Sequence, residues 1–435
     1  MSSPTTPSVT ESPSGDAARS TRFGFPKVGR YSLSYWLRGV QGDPLLNHRT
    51  TLDLPSSTDI LIIESGMTGT LAAKHCKEAW PGKSVLILEA REFCSGATGR
   101  NAGHCKPDQW CGFSEYEMKF GAEQALKQTW LTLVEYVRQN NVDCDLWVGD
   151  TLDVPITPDV AAIAKKNFER FQAAGGKVDH VKVTHDPTEA SKISHIKDAQ
   201  ACYAWPAPTL YPWKLTAHIM RGNLRRGVNL QTRTKATHWI VKSDRGDNEC
   251  SQVIHATNAL ICNRIGPPVA FEGCEGLTNS YGVLLPNRGL FSINPRSKTE
   301  GSVLFGGSNP GQPELEKWLE AHPERGVDDK IQGFKPLTEA VQAFAESQII
   351  GGIIARSADG VPWVGEVPGL PGQWLCAGYN GHGMARIFTA APGLVKLMGG
   401  SSWAETQLPE VYQITPARVQ RLKQFLENGE LQSHL

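Results

Sequence analysis

The feature that most constrains the fold is a strand-turn-helix-strand pattern that begins at residue 59. Residues 59–63 read DILII, an apolar run typical of a strand that is buried on both faces of a parallel sheet. A helix is predicted over residues 68–78 and a second apolar strand over residues 84–89. Two parallel strands joined by a helix within about 30 residues form a βαβ unit, which opens a dinucleotide-binding fold.

The turn after the first strand departs from the glycine pattern G-x-G-x-x-G that binds a diphosphate. It reads ESGMTG, so the second and third glycines are present and Glu64 replaces the first. A Cβ at that position strains the tight turn. Its carboxylate also lies near the expected diphosphate, and one like-charge pair at about 4 Å costs roughly 1 to 4 kcal/mol. The turn residues predicted to bind the dinucleotide are Ser65, Gly66, Met67, Thr68 and Gly69.

The segment that follows the second strand carries the most specific motif of the chain. Glu89 ends that strand, where a carboxylate accepts the ribose hydroxyls of an adenine dinucleotide. Residues 89–104 read EAREFCSGATGRNAGH. This stretch resembles the flavin-contacting segment of the D-amino-acid-oxidase-like (DAO) family, which includes glycine, sarcosine and pipecolate oxidases, and it is most similar to fungal members. The resemblance implies FAD contacts by Glu89, Ala90, Arg91, Ser95, Gly96, Ala97, Thr98, Gly99, Arg100, Asn101 and Gly103.

Three later stretches extend the resemblance, which spans roughly residues 31–400. Residues 253–258 look like the family's strand returning toward the adenine, and residues 235–237 look like the segment that reads the adenine edge. Residues 357–362 and 378–384 look like the C-terminal flavin motifs, the second of which opens a helix whose positive end stabilises the reduced ring. The contacts implied here are Ala236, Ala256, Thr257, Asp359, Gly381, His382, Gly383 and Met384.

The fold implied by the resemblance is α/β: an FAD-binding Rossmann-type domain of the glutathione-reductase-like class, DAO subgroup, with an interleaved α+β substrate domain. The string Pro286-Asn287-Arg288-Gly289 follows Tyr281 and is interpreted as a hairpin turn. The predicted segments are a disordered lead (1–30), FAD-binding parts (57–125, 201–260, 346–400), substrate-domain parts (126–200 and an apparently shortened 261–345) and a C-terminal extension (401–435).

The resemblance also implies a reaction. In the family, a substrate C–H bond is held over the flavin, hydride transfer yields an imine, and O₂ reoxidises the flavin to give H₂O₂. The implied substrate is an amine or amino acid. The candidate catalytic residues are His104, Lys106, Tyr281, His382 and Arg386. Lys106 supplies charge for O₂ reduction, Arg386 pairs with a substrate carboxylate, and Tyr281 lines the pocket. Residues 349–353 contain no Cys, so non-covalent FAD is expected.

Two other readings stay open. One is an FAD-dependent tailoring oxidoreductase of secondary metabolism that acts on a carbon–nitrogen or carbon–carbon bond. The absence of a second nucleotide motif argues against an enzyme driven by NADPH. The other is a degenerate family member with weak or no FAD binding, which Glu64 and the short segment between residues 259 and 302 favour.

Composition narrows the partners and the compartment. The chain has 435 residues and a net charge of zero, so nucleic acid is not an expected partner, and no apolar run is long enough for a membrane span. Its ten cysteines form no C-x-x-C pair, so no metal site or disulfide framework is expected. The terminal Ser433-His434-Leu435 resembles the Ser-Lys-Leu address read by the peroxisomal import receptor. A peroxisomal location is expected, with a cytoplasmic one as the alternative.

Overall fold

The computed structural model describes most of the chain between residues 33 and 427. The described residues are 33–106, 109–126, 131–235, 241–243, 245–257, 269–272, 278–285, 290–296, 302–308, 348–349, 357 and 359–427. Several predictions fall outside these ranges: the disordered lead, the contact by Ala236, the turn at residues 286–289 and the terminal tripeptide.

The described strands form two sheets. The first, which we call the nucleotide sheet, contains β1 (Ser57–Ile63), β2 (Val85–Leu88), β6 (Asn229–Gln231), β7 (Val241–Ser243), β8 (Gly246–His255), β14 (Trp363–Glu366) and β15 (Gln373–Ala377). The second sheet contains β3 (Trp147–Pro155), β4 (Lys182–Thr184), β5 (Cys202–Thr209), β9 (Val269–Glu272), β10 (Ser280–Leu284), β11 (Leu290–Pro295), β12 (Ser302–Ser308) and β13 (Gln348–Ile349).

The helices flank these sheets. They are α1 (Tyr35–Arg38), α2 (Met67–Ala79), α3 (Phe113–Phe120), α4 (Ala122–Leu126), α5 (Leu131–Gln139), α6 (Pro158–Ala173), α7 (Pro187–Ser194), α8 (Pro212–Arg225), α9 (Gly383–Met398), α10 (Trp403–Thr406) and α11 (Pro416–Glu427). None of the described helices is both long enough and apolar enough to cross a lipid bilayer.

The nucleotide sheet has the order β14-β15-β8-β1-β2-β6, with β7 beside β8. Its centre is parallel, because β1 pairs in parallel with both β2 and β8. The side chains of Ile60, Leu61 and Ile62 are fully buried, as predicted for a strand covered on both faces. Helices α2, α8 and α9 pack together over this sheet. The βαβ prediction is therefore confirmed, with α2 and β2 within two residues of their predicted ends.

The second sheet has the order β13-β9-β12-β11-β10-β3-β5-β4. Strands β10 and β11 pair antiparallel from Leu284 and Leu290 outward, which is the arrangement that the predicted hairpin requires. Strand β11 contacts the segment after β2, because Asn294 Nδ2 donates to the Ala102 carbonyl at 2.7 Å. This contact brings the second sheet against the segment predicted to bind flavin.

Three parts of the predicted organisation need correction. The sequence favours one continuous helix near residues 115–140, but α3 ends at Phe120, where Gly121 takes a φ of +80°, and α4 begins at Ala122. Strand β5 belongs to the second sheet, although it was assigned to the FAD-binding part 201–260. Strand β13 also lies in the second sheet, although it was assigned to the FAD-binding part 346–400.

Candidate FAD-binding and active site

The turn between β1 and α2 is built for close approach of the backbone. A Cβ added to Gly69 would lie 2.1 Å from the carbonyl oxygen of Glu64, so this glycine is needed for the helix to pack on the strand. Gly66 precedes α2 and has no capping side chain of its own. The Met67 N–H instead donates to Thr98 Oγ1 at 3.1 Å, which ties the turn to the segment after β2.

Glu64 adopts a backbone conformation that favours glycine. Its φ is +78°, and its N–H donates to the Leu88 carbonyl at 2.8 Å. A left-handed conformation costs a residue with a Cβ roughly 1–2 kcal/mol. The turn thus keeps the geometry of the glycine pattern although the residue has changed, and Glu64 bears the strain.

Glu89 lies at the end of β2 and is almost fully buried. Its Oε2 accepts from the Ser65 N–H at 3.0 Å and from Ser65 Oγ at 2.8 Å, and its Oε1 accepts from the Arg91 N–H at 2.9 Å. A carboxylate offers about four acceptor positions. With three of them used by these bonds, one position is left for a ribose hydroxyl, and the exposed Ala90 leaves this edge open.

The segment from Ser95 to Gly103 wraps beside this turn. Residues Ala97–Arg100 form a 3-10 helix, and Arg100 Nε donates to the Ser95 carbonyl at 3.0 Å. Asn101 Oδ1 accepts from the Gly103 N–H at 2.8 Å, where Gly103 has a φ of +76°. Gly96 precedes the 3-10 helix, and Gly99 N–H donates to its carbonyl. The buried Ser95 Oγ has no hydrogen-bond partner among the described residues, which leaves it available to a ligand.

The C-terminal motifs meet the same turn from the other side. Ser357 N–H donates to Asn380 Oδ1 at 2.9 Å, which joins the two motifs, and His382 is the residue that precedes α9. Gly381 has a φ of +85°, and the first turn of α9 contains Gly383 and the buried Met384. The Thr68 side chain hydrogen-bonds Tyr379, so the first turns of α2 and α9 converge.

Ala256 and Thr257 follow β8 beside the end of β1. The Ala256 N–H donates to the Ile63 carbonyl at 3.2 Å, and both side chains are buried. They lie at the carboxyl edge of the parallel strands, where nucleotides bind in sheets of this type.

Two predicted contacts have other partners in the structure. Asp359 forms a bidentate ion pair with Arg418 of α11, with Oδ2–Nε at 2.8 Å and Oδ1–Nη2 at 3.0 Å. Its side chain therefore anchors the C-terminal helix, and its contact with FAD stays a prediction. The buried Arg386 donates to the Tyr379 carbonyl at 3.4 Å and to Tyr116 Oη at 3.2 Å. These bonds use its guanidinium to join α9 to α3.

Arg418 is the residue that the sequence analysis missed. It lies in the predicted C-terminal extension, donates also to the carbonyls of Val361 and Pro362, and stacks 4.0 Å above the Trp363 ring. Two arginines in a terminal helix give no signal for such a contact, because the partner is far away in the sequence.

His104 and Lys106 lie between the flavin-type segment and the second sheet. His104 Nδ1 lies 2.7 Å from Ser292 Oγ, and its buried Nε2 has no partner among the described residues. Burial, with a smaller effect of the Lys106 charge, lowers the pKa of His104 to about 3. The imidazole is therefore neutral at physiological pH.

Lys106 forms an ion pair with Asp153 of β3, with an Nζ–Oδ1 distance of 2.8 Å. Trp205 Nε1 donates to the other oxygen of Asp153 at 2.7 Å. The charge of Lys106 is thus compensated within the protein, which weakens its predicted role as a positive charge for O₂ reduction. A Cβ on Gly282 would lie 2.4 Å from Asp153 Oδ1, so this glycine is required beside the pair.

Tyr281 is on the opposite face of the sheet from this cluster. Gly282 pairs with Asp153 in β3 and with Ser292 in β11, so these three residues share one face, and Tyr281 points to the other. Burial raises the pKa of Tyr281 to about 12, and its hydroxyl has no partner among the described residues. The structure therefore does not bring Tyr281 together with His104.

Comparison with known proteins decides the family. The model of the FAD-dependent oxidoreductase (DAO) family matches residues 59–398. The chain belongs to this family. It is 23% identical over 360 residues to the probable oxidoreductase OrdL of Rhizobium meliloti, covering 75% of this chain and 79% of that protein. It is 24% identical over 325 residues to the γ-glutamylputrescine oxidoreductase of Escherichia coli, covering 64% of this chain and 73% of that protein.

Solved structures share the fold of this family member. The glycine oxidase of Geobacillus kaustophilus superposes with a TM-score of 0.62 at 16% identity, covering 83% of this chain and 99% of that one. The L-proline dehydrogenase of P. horikoshii gives a TM-score of 0.59 at 18% identity, covering 82% of this chain and 98% of that one. The two-sheet α/β architecture expected from the sequence is confirmed.

The cofactor of this family is FAD, and the described residues fit it. The converging first turns of α2 and α9 supply backbone N–H groups and positive dipole ends. Glu89 retains an acceptor position for the ribose, and Ser95 Oγ, which has no partner among the described residues, lies in the segment that runs alongside. The residue that differs from the expected cradle is Glu64.

Proposed function

We propose that this flavoenzyme oxidises the carbon–nitrogen bond of an amine or amino acid and passes the electrons to O₂. FAD supplies the redox chemistry: it accepts a hydride and, on reoxidation by O₂, yields H₂O₂. The names of several similar proteins support this class of substrate, because they include a γ-glutamylputrescine oxidoreductase and a glycine oxidase. The chain's own contribution is to orient the substrate and to keep its nitrogen uncharged.

The observation that carries the proposal is the environment of His104. Its ring is half-buried between the flavin-type segment and the second sheet, with Nε2 fully buried, and it is neutral because burial lowers its pKa. A neutral imidazole adds no charge beside the substrate nitrogen, and its Nε2, which has no partner among the described residues, can form a hydrogen bond with the substrate. A buried polar atom without a partner is costly, so a ligand that satisfies it binds favourably.

The substrate class is tested by reducing the bound flavin anaerobically with primary amines, secondary amines and amino acids. Loss of the oxidised flavin absorbance with any of these supports the proposal. Admission of O₂ should then restore the absorbance and release one H₂O₂ per substrate. A flavin that none of them reduces contradicts C–N oxidation, and reoxidation only by an artificial acceptor contradicts the use of O₂.

The role of His104 is tested by replacing it with alanine. We expect His104→Ala to lower kcat/KM by at least about tenfold, or about 1.4 kcal/mol, because one oriented hydrogen bond is lost. FAD affinity should stay unchanged. His180→Ala is the matched control, since His180 is exposed. Equal kcat/KM values for the two variants would remove His104 from the site.

We also propose that Ser433-His434-Leu435 directs the protein to peroxisomes, where a source of H₂O₂ is accompanied by enzymes that remove it. The support is the similarity of the tripeptide to Ser-Lys-Leu. A fluorescent protein fused before the chain should colocalise with a peroxisomal marker. Changing the last residue, Leu435→Asp, should leave the fusion in the cytoplasm. Cytoplasmic fluorescence of the unchanged fusion would contradict the proposal.

A further inference from the structure

Glu64 lies in the turn predicted to bind the dinucleotide, and two contacts hold its backbone. Its N–H is bonded to the Leu88 carbonyl, and its own carbonyl lies against Gly69 of α2. The φ of +78° is fixed by these two contacts. A shift of the backbone that relieved the strain would separate β1 from β2 or α2 from β1. The site therefore has to accommodate the acid where it is.

The side chain of Glu64 is half-buried and interacts with two charged groups. One is the carboxylate of Glu89, which accepts three hydrogen bonds from N–H and O–H donors. The other is Arg91, whose positive charge opposes the repulsion between the two acids. On the neighbouring strand, the His255 ring bonds Gln373 and burial keeps it neutral by lowering its pKa.

We propose that Glu64 takes part in FAD binding as a neutral carboxylic acid, which makes retention of the cofactor sensitive to pH. A neutral carboxyl carries one O–H donor in addition to its acceptors. In a site designed for a diphosphate, a donor is favourable, whereas a second carboxylate beside Glu89 repels both Glu89 and the ligand. Glu64, which stands in place of the glycine, thus supplies a contact with the ligand that depends on its proton.

The electrostatics of the unliganded protein agree with this role. Burial first, and the negative charge of Glu89 second, raise the pKa of Glu64 to about 8, with Arg91 acting in the opposite direction. Because this pKa lies above the ordinary value of about 4.5, the folded protein holds a proton that the unfolded chain releases. The resulting stabilisation is present at low pH and is lost as the pH rises through about 8. A bound diphosphate favours the protonated form further.

The test is the dissociation constant of FAD for the apoprotein, measured by flavin fluorescence from about pH 6 to about pH 9. We expect a constant value below about pH 8 and a rise above it that approaches tenfold per pH unit, since one proton must then be taken up on binding. The isosteric variant Glu64→Gln keeps the shape and the strain but does not ionise. Its dissociation constant should be independent of pH.

Glu64→Gly is the second variant, since it removes both the acid and the strain and needs no side-chain packing. It should bind FAD more tightly than the unchanged protein, with a flat pH profile. A flat profile for the unchanged protein would overturn the proposal, and so would a rise that persists in either variant. FAD binding by Glu64→Gly alone would show that the acid excludes the cofactor, which also overturns it. All these readouts are binding constants, so they are independent of the substrate.

Discussion

Replacing Arg418 with alanine should lower the free energy of unfolding by about 3–5 kcal/mol. The ion pair with Asp359 is buried, with 5% of the Arg418 side chain and 9% of the Asp359 side chain exposed. Removal of one partner leaves an uncompensated buried charge, which is costlier than the loss of a surface pair. Arg418 also donates to the carbonyls of Val361 and Tyr412, which would lose these bonds. Urea unfolding followed by tryptophan fluorescence measures the effect.

Arg421 provides a matched control in the same helix. It contacts the same Asp359 oxygen at 3.8 Å, but 54% of its side chain is exposed. Arg421→Ala should therefore lower the free energy of unfolding by less than about 1 kcal/mol. The loss of unfolding free energy in Arg418→Lys should lie between those of the two alanine variants, because lysine keeps the charge and loses the bidentate geometry. If Arg418→Ala is no more destabilising than Arg421→Ala, the pair does not anchor α11.

Gly69→Ala should abolish tight FAD binding, weakening it by at least about a hundredfold, or about 2.7 kcal/mol. The added Cβ would lie 2.1 Å from the Glu64 carbonyl oxygen and 3.2 Å from the Ile62 side chain. The first contact is with the backbone of the turn that follows β1, so a displacement of α2 is needed to relieve it. That displacement moves the N–H groups that face the diphosphate, and overpacking of this kind also lowers stability by about 1–3 kcal/mol.

Gly82→Ala is the control for this variant. A Cβ at Gly82 meets no atom within 4 Å, and its φ is not in the left-handed region. FAD titration and thermal unfolding should give the values of the unchanged protein. Tight FAD binding by Gly69→Ala would mean that the interface between β1 and α2 tolerates a side chain, contrary to the observed distance.

The part of the site that could be predicted is the part built from consecutive residues. Apolar runs revealed β1 and β2, and the spacing of Gly66 and Gly69 revealed the turn, because each feature is local. Glu89 was predicted to bind ribose because of its position after β2. In the structure, a hydrogen bond from the Ser65 N–H holds its carboxylate at the turn. The FAD family followed from motifs that are specific when taken together.

What could not be predicted depends on pairing between distant residues. Strand β5 contains Pro206 and Pro208, which do not suggest a strand, and only its pairing with β3 holds it in the second sheet. The partner of Asp359 lies 59 positions further along the chain. Tyr281 and His104 were both predicted to be catalytic residues, whereas alternation along β10 places Tyr281 on the other face of the sheet.

The order of strands in the nucleotide sheet has a consequence for biosynthesis. Strand β1 has β8 as one neighbour, and Ile62 pairs with Ile254 across that boundary. At about 5–20 residues per second, a ribosome needs roughly 10–40 s to make the intervening chain. During this time the edge of β1 that pairs with β8 in the folded protein has no partner, because β8 has not yet been made. We expect newly made chains to engage a chaperone in this interval and to become competent for cofactor loading only after β8 has been made.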